Sequence, residues 1–204
     1  MKSKTHVYAG MAAALAVNLV SEPLSIENTL AAIVGGVAGA ILCDIEVRIK
    51  RGGREVLYGR IIALAICAAA LIIDITLKAG LCERALMRPK KYTVSGALTL
   101  LAVCGIGRFT PHRTFTHSLV YVGLLGLGFY LVCPTLLAPT LLGGLSHLML
   151  DTLNKKPVPW FYPLFRPGLC LKLFYSDKIA DNAFMWAFLA ADLCLIGYAA
   201  YYLA

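Results

Sequence analysis

The sequence predicts an all-α membrane protein: a polytopic bundle of about six to seven helices forming a single domain over residues 1–204. Hydrophobic residues make up 59% of the chain and charged residues 15%, whereas soluble domains average about 45–50% and about 25%. This composition excludes a disordered protein, which requires low hydrophobicity. It also argues against an ordinary soluble domain.

Charge-poor apolar runs account for the predicted helices. A helix needs about 20 apolar residues to cross the hydrocarbon core, so runs 7–20 and 94–107 are short enough to insert partially or at a tilt. The backbone in lipid must satisfy its own hydrogen bonds, and no run alternates as a barrel strand does. Gly35 and Gly39 form a GxxxG that predicts close helix packing. In order, the runs are 7–20, 28–43, 60–79, 94–107, 117–133, 135–153 and 183–204.

Basic loops predict the orientation. Lys and Arg concentrate in residues 48–60 and 154–178, and basic loops stay in the cytoplasm. The chain is therefore predicted to be a multi-pass inner-membrane protein with both loops inside. Residues 78–93 are also basic, but this topology places them on the non-cytoplasmic side of the membrane. Either that segment does not cross as drawn or run 94–107 is re-entrant, and both alternatives stay open.

This topology brings every histidine to one membrane level, on the cytoplasmic face. Three acidic residues fall at the same level, at the ends of the neighbouring runs. Scattered structural histidines would not be expected to cluster in this way, so a functional site is predicted there. The residues are His6, His112, His117 and His147, with Asp44, Glu46 and Asp151.

Residue spacing points to a metal. His147 and Asp151 are four apart, so one helix face presents both. His112 and His117 are five apart, and Pro111 suits a first helical turn, which predicts His112 in the entry turn and His117 inside the helix. Imidazole and carboxylate together favour zinc, with manganese or iron as alternatives.

Simpler interpretations exist for single residues. The His147–Asp151 pair is also typical of a surface or packing pair. Segment 112–118 is different, because two histidines, an arginine and three hydroxyls abut a long apolar helix, where unpaired polar groups are costly. Asp74 and Asp192 lie inside apolar runs, and structural hydrogen bonds or pairs are slightly favoured over function for both.

The segment His112-Arg-Thr-Phe-Thr-His-Ser118 resembles the His-Arg-x-x-Thr-His-Ser signature of the YdjM-like family of LexA-binding, inner-membrane-associated metal-dependent hydrolases. Glu46 departs from the family pattern, since a second Asp usually stands there, and Cys43 replaces a Pro. Further elements match in the family's order: His6 before the first helix, Asp44 and Glu46 after the second, the block Gly143 to Asp151, and the Pro-rich segment Pro157 to Pro163.

Residues and resemblance together give a hypothesis of metal-dependent hydrolysis of a phosphoester or similar bond. Arg113 would bind developing negative charge, Glu46 would be a ligand or the general base, and Thr116 and Ser118 would orient ligands. Membrane lipids are the expected partners, since the net charge of +8 suits anionic headgroups, although that charge also fits a role in topology alone. The expected metal ligands, enough for two ions, are His6, Asp44, His112, His117, His147 and Asp151.

Two other functions remain as alternatives. The family resemblance implies a non-catalytic membrane protein that binds a LexA-like cytoplasmic regulator. A small transporter would use Asp74 and Asp192 as ion-coupling groups, but the chain lacks the repeated halves that many transporters show. No direct nucleic-acid contact is expected, because the basic loops carry no nucleic-acid motif.

Overall fold

A computed structural model describes residues 1–21, 23–47, 49–173 and 178–203. Position 48 and residues 174–177, which belong to the two predicted basic loops, lie outside the described residues. The described part confirms an all-α bundle, with one short helix beyond the predicted six to seven. Its helices are α1 (Ser3–Ser21), α2 (Ile26–Leu42), α3 (Ile49–Leu77), α4 (Leu81–Met87), α5 (Lys90–Phe109), α6 (Leu119–Val132), α7 (Leu137–Thr152) and α8 (Lys178–Leu203).

Among the described residues, three helices are long and apolar enough to cross a membrane, judged by length and composition. They are Gly53–Leu77 within α3, Lys90–Phe109, and Ile179–Leu203 within α8. The second contains the short run 94–107 and extends it in both directions as one continuous 20-residue helix. This helix shows no break at which the chain could turn back, so it does not favour the re-entrant alternative.

Helices α1, α2 and α7 pack against one another at the centre of the bundle. The contact between α2 and α7 is backbone to backbone, because a Cβ added to Gly39 would collide with the Thr140 carbonyl and one added to Gly143 with the Gly36 carbonyl. A Cβ added to Gly35 would lie 2.6 Å from Pro139 Cβ, so this position is also tightly packed. The predicted GxxxG is thus a helix-packing face, and it holds α7 beside the end of α2.

Replacing Gly143 by Ala is expected to destabilise the protein by about 1–3 kcal/mol, because the new methyl group has no space against the α2 backbone. Thermal unfolding in detergent measures the effect. Gly123→Ala is the matched control, since a Cβ there meets no atom within 4 Å. Equal melting temperatures for the two variants would contradict this account of the α2–α7 contact.

The two acids inside apolar runs have different environments. Asp74 accepts hydrogen bonds from the backbone N–H groups of Leu81, at 2.9 Å, and Cys82, at 2.7 Å, so it caps the N-terminus of α4. This contact agrees with the structural interpretation. Asp192 is buried in α8, and neither of its carboxylate oxygens has a hydrogen-bond partner among the described residues.

Candidate metal centre

Four segments meet at one end of the bundle and bring the predicted site residues together. They are the start of α1, the turn after α2, the segment before α6, and the last turns of α7. All of the side chains are buried except that of His112, which is half exposed. The residues are His6, Asp44, Glu46, His112, His117, His147 and Asp151.

The ring nitrogens of His117 and His147 mark the middle of the cluster. Their Nε2 atoms are 3.4 Å apart, and Asp151 Oδ2 lies 3.4 Å from that of His117. Asp44 Oδ1 lies 3.7 Å from Nε2 of His117 and 3.8 Å from Nε2 of His147. Two atoms that each sit about 2.0–2.1 Å from a tetrahedral zinc ion are about 3.3–3.4 Å apart. Most of these distances are too long for good hydrogen bonds but suit ligands around one ion.

Hydrogen bonds set which nitrogens can bind a cation. His147 Nδ1 lies 2.8 Å from the Ala40 carbonyl oxygen, which only accepts, so Nδ1 carries the proton. The Nε2 lone pair of the neutral ring therefore points into the cluster, as is usual for a metal-binding histidine. His117 Nδ1 contacts the Thr116 hydroxyl at 3.0 Å, in agreement with the orienting role expected of Thr116.

The electrostatics favour a cation. Burial alone would lower the pKa of the His117 imidazole, but its hydrogen bond with Asp151 and the negative charges of Asp44 and Glu46 raise it above the ordinary value. Three carboxylates thus draw positive charge onto one buried ring. The same three negative charges would attract a divalent cation.

The ligand atoms form two adjacent groups, each with its members' atoms within 4.8 Å of one another. In one group, His6 Nε2 lies 3.4 Å from Asp151 Oδ1, and the His6 ring stacks on that of His147 at 3.8 Å between centroids. Together the groups contain all six predicted ligands and also Glu46. The groups are Asp44, Glu46, His112 and His117, and His6, His147 and Asp151.

Within the cluster, two buried ligand-type atoms have no hydrogen-bond partner among the described residues: His6 Nδ1 and Glu46 Oε2. Leaving such atoms unpaired costs about 1–3 kcal/mol each. Unpaired nitrogen and oxygen atoms beside three carboxylates are the donor set that zinc and similar divalent ions take. The residues present therefore fit a divalent metal, with room for one ion or two.

Arg113 and Glu46 both lie at the cluster. Arg113 Nη2 donates to Asp151 Oδ2 at 3.0 Å, and Nη1 donates to the Lys156 carbonyl. Glu46 Oε1 lies 2.8 Å from His112 Nδ1 and 3.6 Å from His117 Nδ1. The arginine therefore offsets part of the negative charge, and the glutamate reaches the two histidines that precede α6.

One local prediction is wrong. His117 lies in the 3-10 turn Phe115–His117, not inside a helix, and α6 begins at Leu119. The Ser118 hydroxyl accepts the N–H of Tyr121 and donates to the Phe115 carbonyl. Ser118 thus acts as the N-cap of α6, and this cap, not ligand orientation, is its visible role.

Sequence reasoning missed two arginines that hold the turn after α2. Arg60 Nη2 donates to the carbonyls of Asp44, Ile45 and Val47, the last at 2.7 Å. Arg108 Nη1 donates to the carbonyls of Ile45 and Glu46. Both cations satisfy the carbonyl end of α2 and so fix where the two acids point. Their one sequence signal was a single arginine at the edge of an apolar run.

One further residue, Asp181, positions His6, whereas the sequence alone favours a solvated loop for it over a role as a further ligand. Asp181, on α8, accepts from the Thr5 hydroxyl at 3.0 Å and from the backbone N–H of Lys2 at 3.1 Å. These bonds secure the first turn of α1, on which His6 lies. Asp181 is therefore part of the support of the cluster. Asp177, for which the sequence also favours a solvated loop over a role as a further ligand, lies outside the described residues.

Comparison with known protein families gives a match that covers nearly the whole chain. The family model described as YdjM inner membrane protein matches residues 1–203. Neither the curated proteins nor the solved structures contain a significant match to the chain.

Proposed function

Because the chain belongs to the family of YdjM inner membrane proteins, we propose that it is a membrane-embedded, metal-dependent hydrolase that cleaves a phosphoester at the membrane surface. The observation that carries the proposal is the convergence of His117, His147, Asp44 and Asp151 at ligand-to-ligand distances of 3.4–3.8 Å. Metal sites of this composition, with nitrogen and carboxylate ligands, are common in hydrolases.

The proposed roles follow from the contacts. His117, His147, Asp44 and Asp151 would hold a first ion, with zinc favoured over manganese and iron. His6, on Asp151, and His112, on Glu46, extend the set toward a second ion. When bound, a divalent ion supplies a nucleophilic water at neutral pH and polarises the phosphoryl oxygen.

Two further side chains would take part in the reaction. Glu46 Oε2 is buried and unpartnered, so it can accept the proton of the attacking water as general base. The Arg113 guanidinium, held beside Asp151, would stabilise the negative charge that develops on phosphorus-bound oxygens.

The membrane surface is the proposed place of the reaction, on the cytoplasmic side by the distribution of basic loops. Residues 155–173 pack on the end of α7 through bonds such as Leu171 N–H to the Thr152 carbonyl, at 2.8 Å. This segment carries four basic and no acidic residues. Its side chains Phe161, Leu164 and Phe165 are exposed. Aromatic and aliphatic groups beside Lys and Arg are typical of a segment lying in the lipid headgroup region.

Metal content measured by elemental analysis tests the proposal. Protein purified in mild detergent, without chelators or a His-tag, is expected to carry about one or two divalent ions per chain and to hydrolyse phosphoesters only when loaded. The His117→Ala/His147→Ala double variant should lose both, while Asp74→Asn, at a buried acid far from the cluster, should keep both. Wild-type protein that neither contains nor takes up metal would overturn the proposal and favour the regulator-binding alternative.

A further inference from the structure

A groove between α2 and α3 lies directly beside the candidate metal centre. Its volume is about 290 Å³, close to the lower end of ligand-binding pockets. The walls are apolar, and among the described residues that line the groove the one charged side chain is that of Arg60. Ala38, Ile41 and Leu42 on α2 face Ala63, Leu64 and Cys67 on α3.

The groove is open to the membrane. Within the candidate membrane span Gly53–Leu77, 22% of the most apolar window is buried inside the protein. Leu64, on the groove wall, is 72% exposed. At about 1.5 Å of rise per residue, the lining from Arg60 to Cys67 extends for roughly 10 Å along the helix. An apolar groove that opens sideways into lipid is complementary to an acyl chain.

The charged end of the groove is connected to the metal centre through Asp44. Arg60 donates through Nη2 to the carbonyl oxygen of Asp44 at 3.3 Å, and the carboxylate of the same residue lies 3.7 Å from His117 Nε2. The guanidinium is thereby held against the backbone of Asp44, which is itself a candidate metal ligand. It is only partly buried, and an arginine so placed is a recognition group for phosphate.

We propose that the α2–α3 groove binds one acyl chain of a phospholipid whose phosphate lies at Arg60. This arrangement would deliver the headgroup to the metal centre from within the bilayer, and the lipid would be the substrate. That last step rests on the proposed hydrolase function. Lipid binding itself does not, so the two can be tested separately.

Photolabelling tests the binding. The full chain, in phosphatidylcholine vesicles, is labelled with a phosphatidylglycerol that carries a diazirine in one acyl chain. Labels are expected on the peptides around Ala38 to Leu42 and Ala63 to Cys67. Ala38→Trp, which fills the groove, should lower labelling there about tenfold, equivalent to about 1.4 kcal/mol. Ala69→Trp, at an exposed position of α3 outside the groove, should not.

A second pair of measurements tests the role of Arg60. Arg60→Gln should weaken groove labelling by the phosphatidylglycerol probe, and should leave labelling by a diacylglycerol probe, which lacks phosphate, unchanged. The helical circular dichroism signal and the melting temperature serve as the folding check for each variant, because Arg60 also holds the turn that carries Asp44. Labels spread evenly over all lipid-facing helices and insensitive to Ala38→Trp would show bulk lipid only and overturn the proposal.

The outcome is separable from that of the hydrolase proposal. Saturable groove labelling in a protein that neither contains nor takes up metal would support the lipid site and contradict the hydrolase proposal. Metal-dependent phosphoesterase activity in a protein whose groove remains unlabelled would support the hydrolase proposal and contradict the lipid site.

Discussion

Replacing Asp151 by Asn is expected to lower the affinity for a divalent ion by on the order of 100-fold or more. Replacing a residue that only supports the ligands typically lowers metal affinity about 10–100-fold. Asp151 should matter at least as much, because it contacts three site residues directly. Its oxygens lie 3.4 Å from Nε2 of both His6 and His117, and 3.0 Å from Arg113 Nη2. Asn keeps the shape but removes the charge that balances the guanidinium.

A calorimetric titration of the metal-free protein with zinc measures this loss of affinity. Asp74→Asn is the matched control, because Asp74 is equally buried but caps α4. It should leave the affinity unchanged even where the melting temperature falls. An Asp151→Asn variant that binds zinc as tightly as the wild type would show that this carboxylate is not a ligand, and that its role is to pair with Arg113.

The sequence predicted the convergence of the cluster for a definite physical reason. The side-chain period of a helix places His147 and Asp151 on one face, and the alternation of apolar runs with basic loops places the ends of several helices at one level. In the structure both residues are buried on α7, and Asp44, after α2, lies 3.8 Å from His147 Nε2. Periodicity and topology were enough to bring these residues together.

What sequence reasoning missed depends on contacts between distant parts of the chain. The bonds from Arg60 and Arg108 to the turn after α2 join three helices, and no local pattern encodes such pairs. The predicted apolar run begins at His117, which places His117 inside the helix. Ser118 is instead the N-cap of α6, so the helix begins only after it and His117 lies in the preceding 3-10 turn. Helix boundaries are therefore the weakest part of such predictions.

Glu46→Gln is expected to keep the metal and to lower phosphoester hydrolysis by about 10²–10⁴-fold, the usual contribution of a general base. The two roles open for Glu46, base or ligand, differ in this experiment. Its Oε1 lies 2.8 Å from His112 Nδ1, while Oε2 is buried with no partner among the described residues. The unpartnered Oε2 suits either role, because it can take a proton from water or bind an ion, so the metal content of the variant decides between them.

Metal content and turnover, measured on the same preparation, separate the roles. Loss of metal together with activity would make Glu46 a ligand, and full activity with full metal would remove it from the chemistry. His112→Gln is the informative companion, since it removes only the imidazole that contacts Oε1 and leaves the carboxylate in place. If Glu46 is the base, this variant should keep the first ion, which other residues hold, and should hydrolyse phosphoesters more slowly, because the base loses the hydrogen bond that positions Oε1.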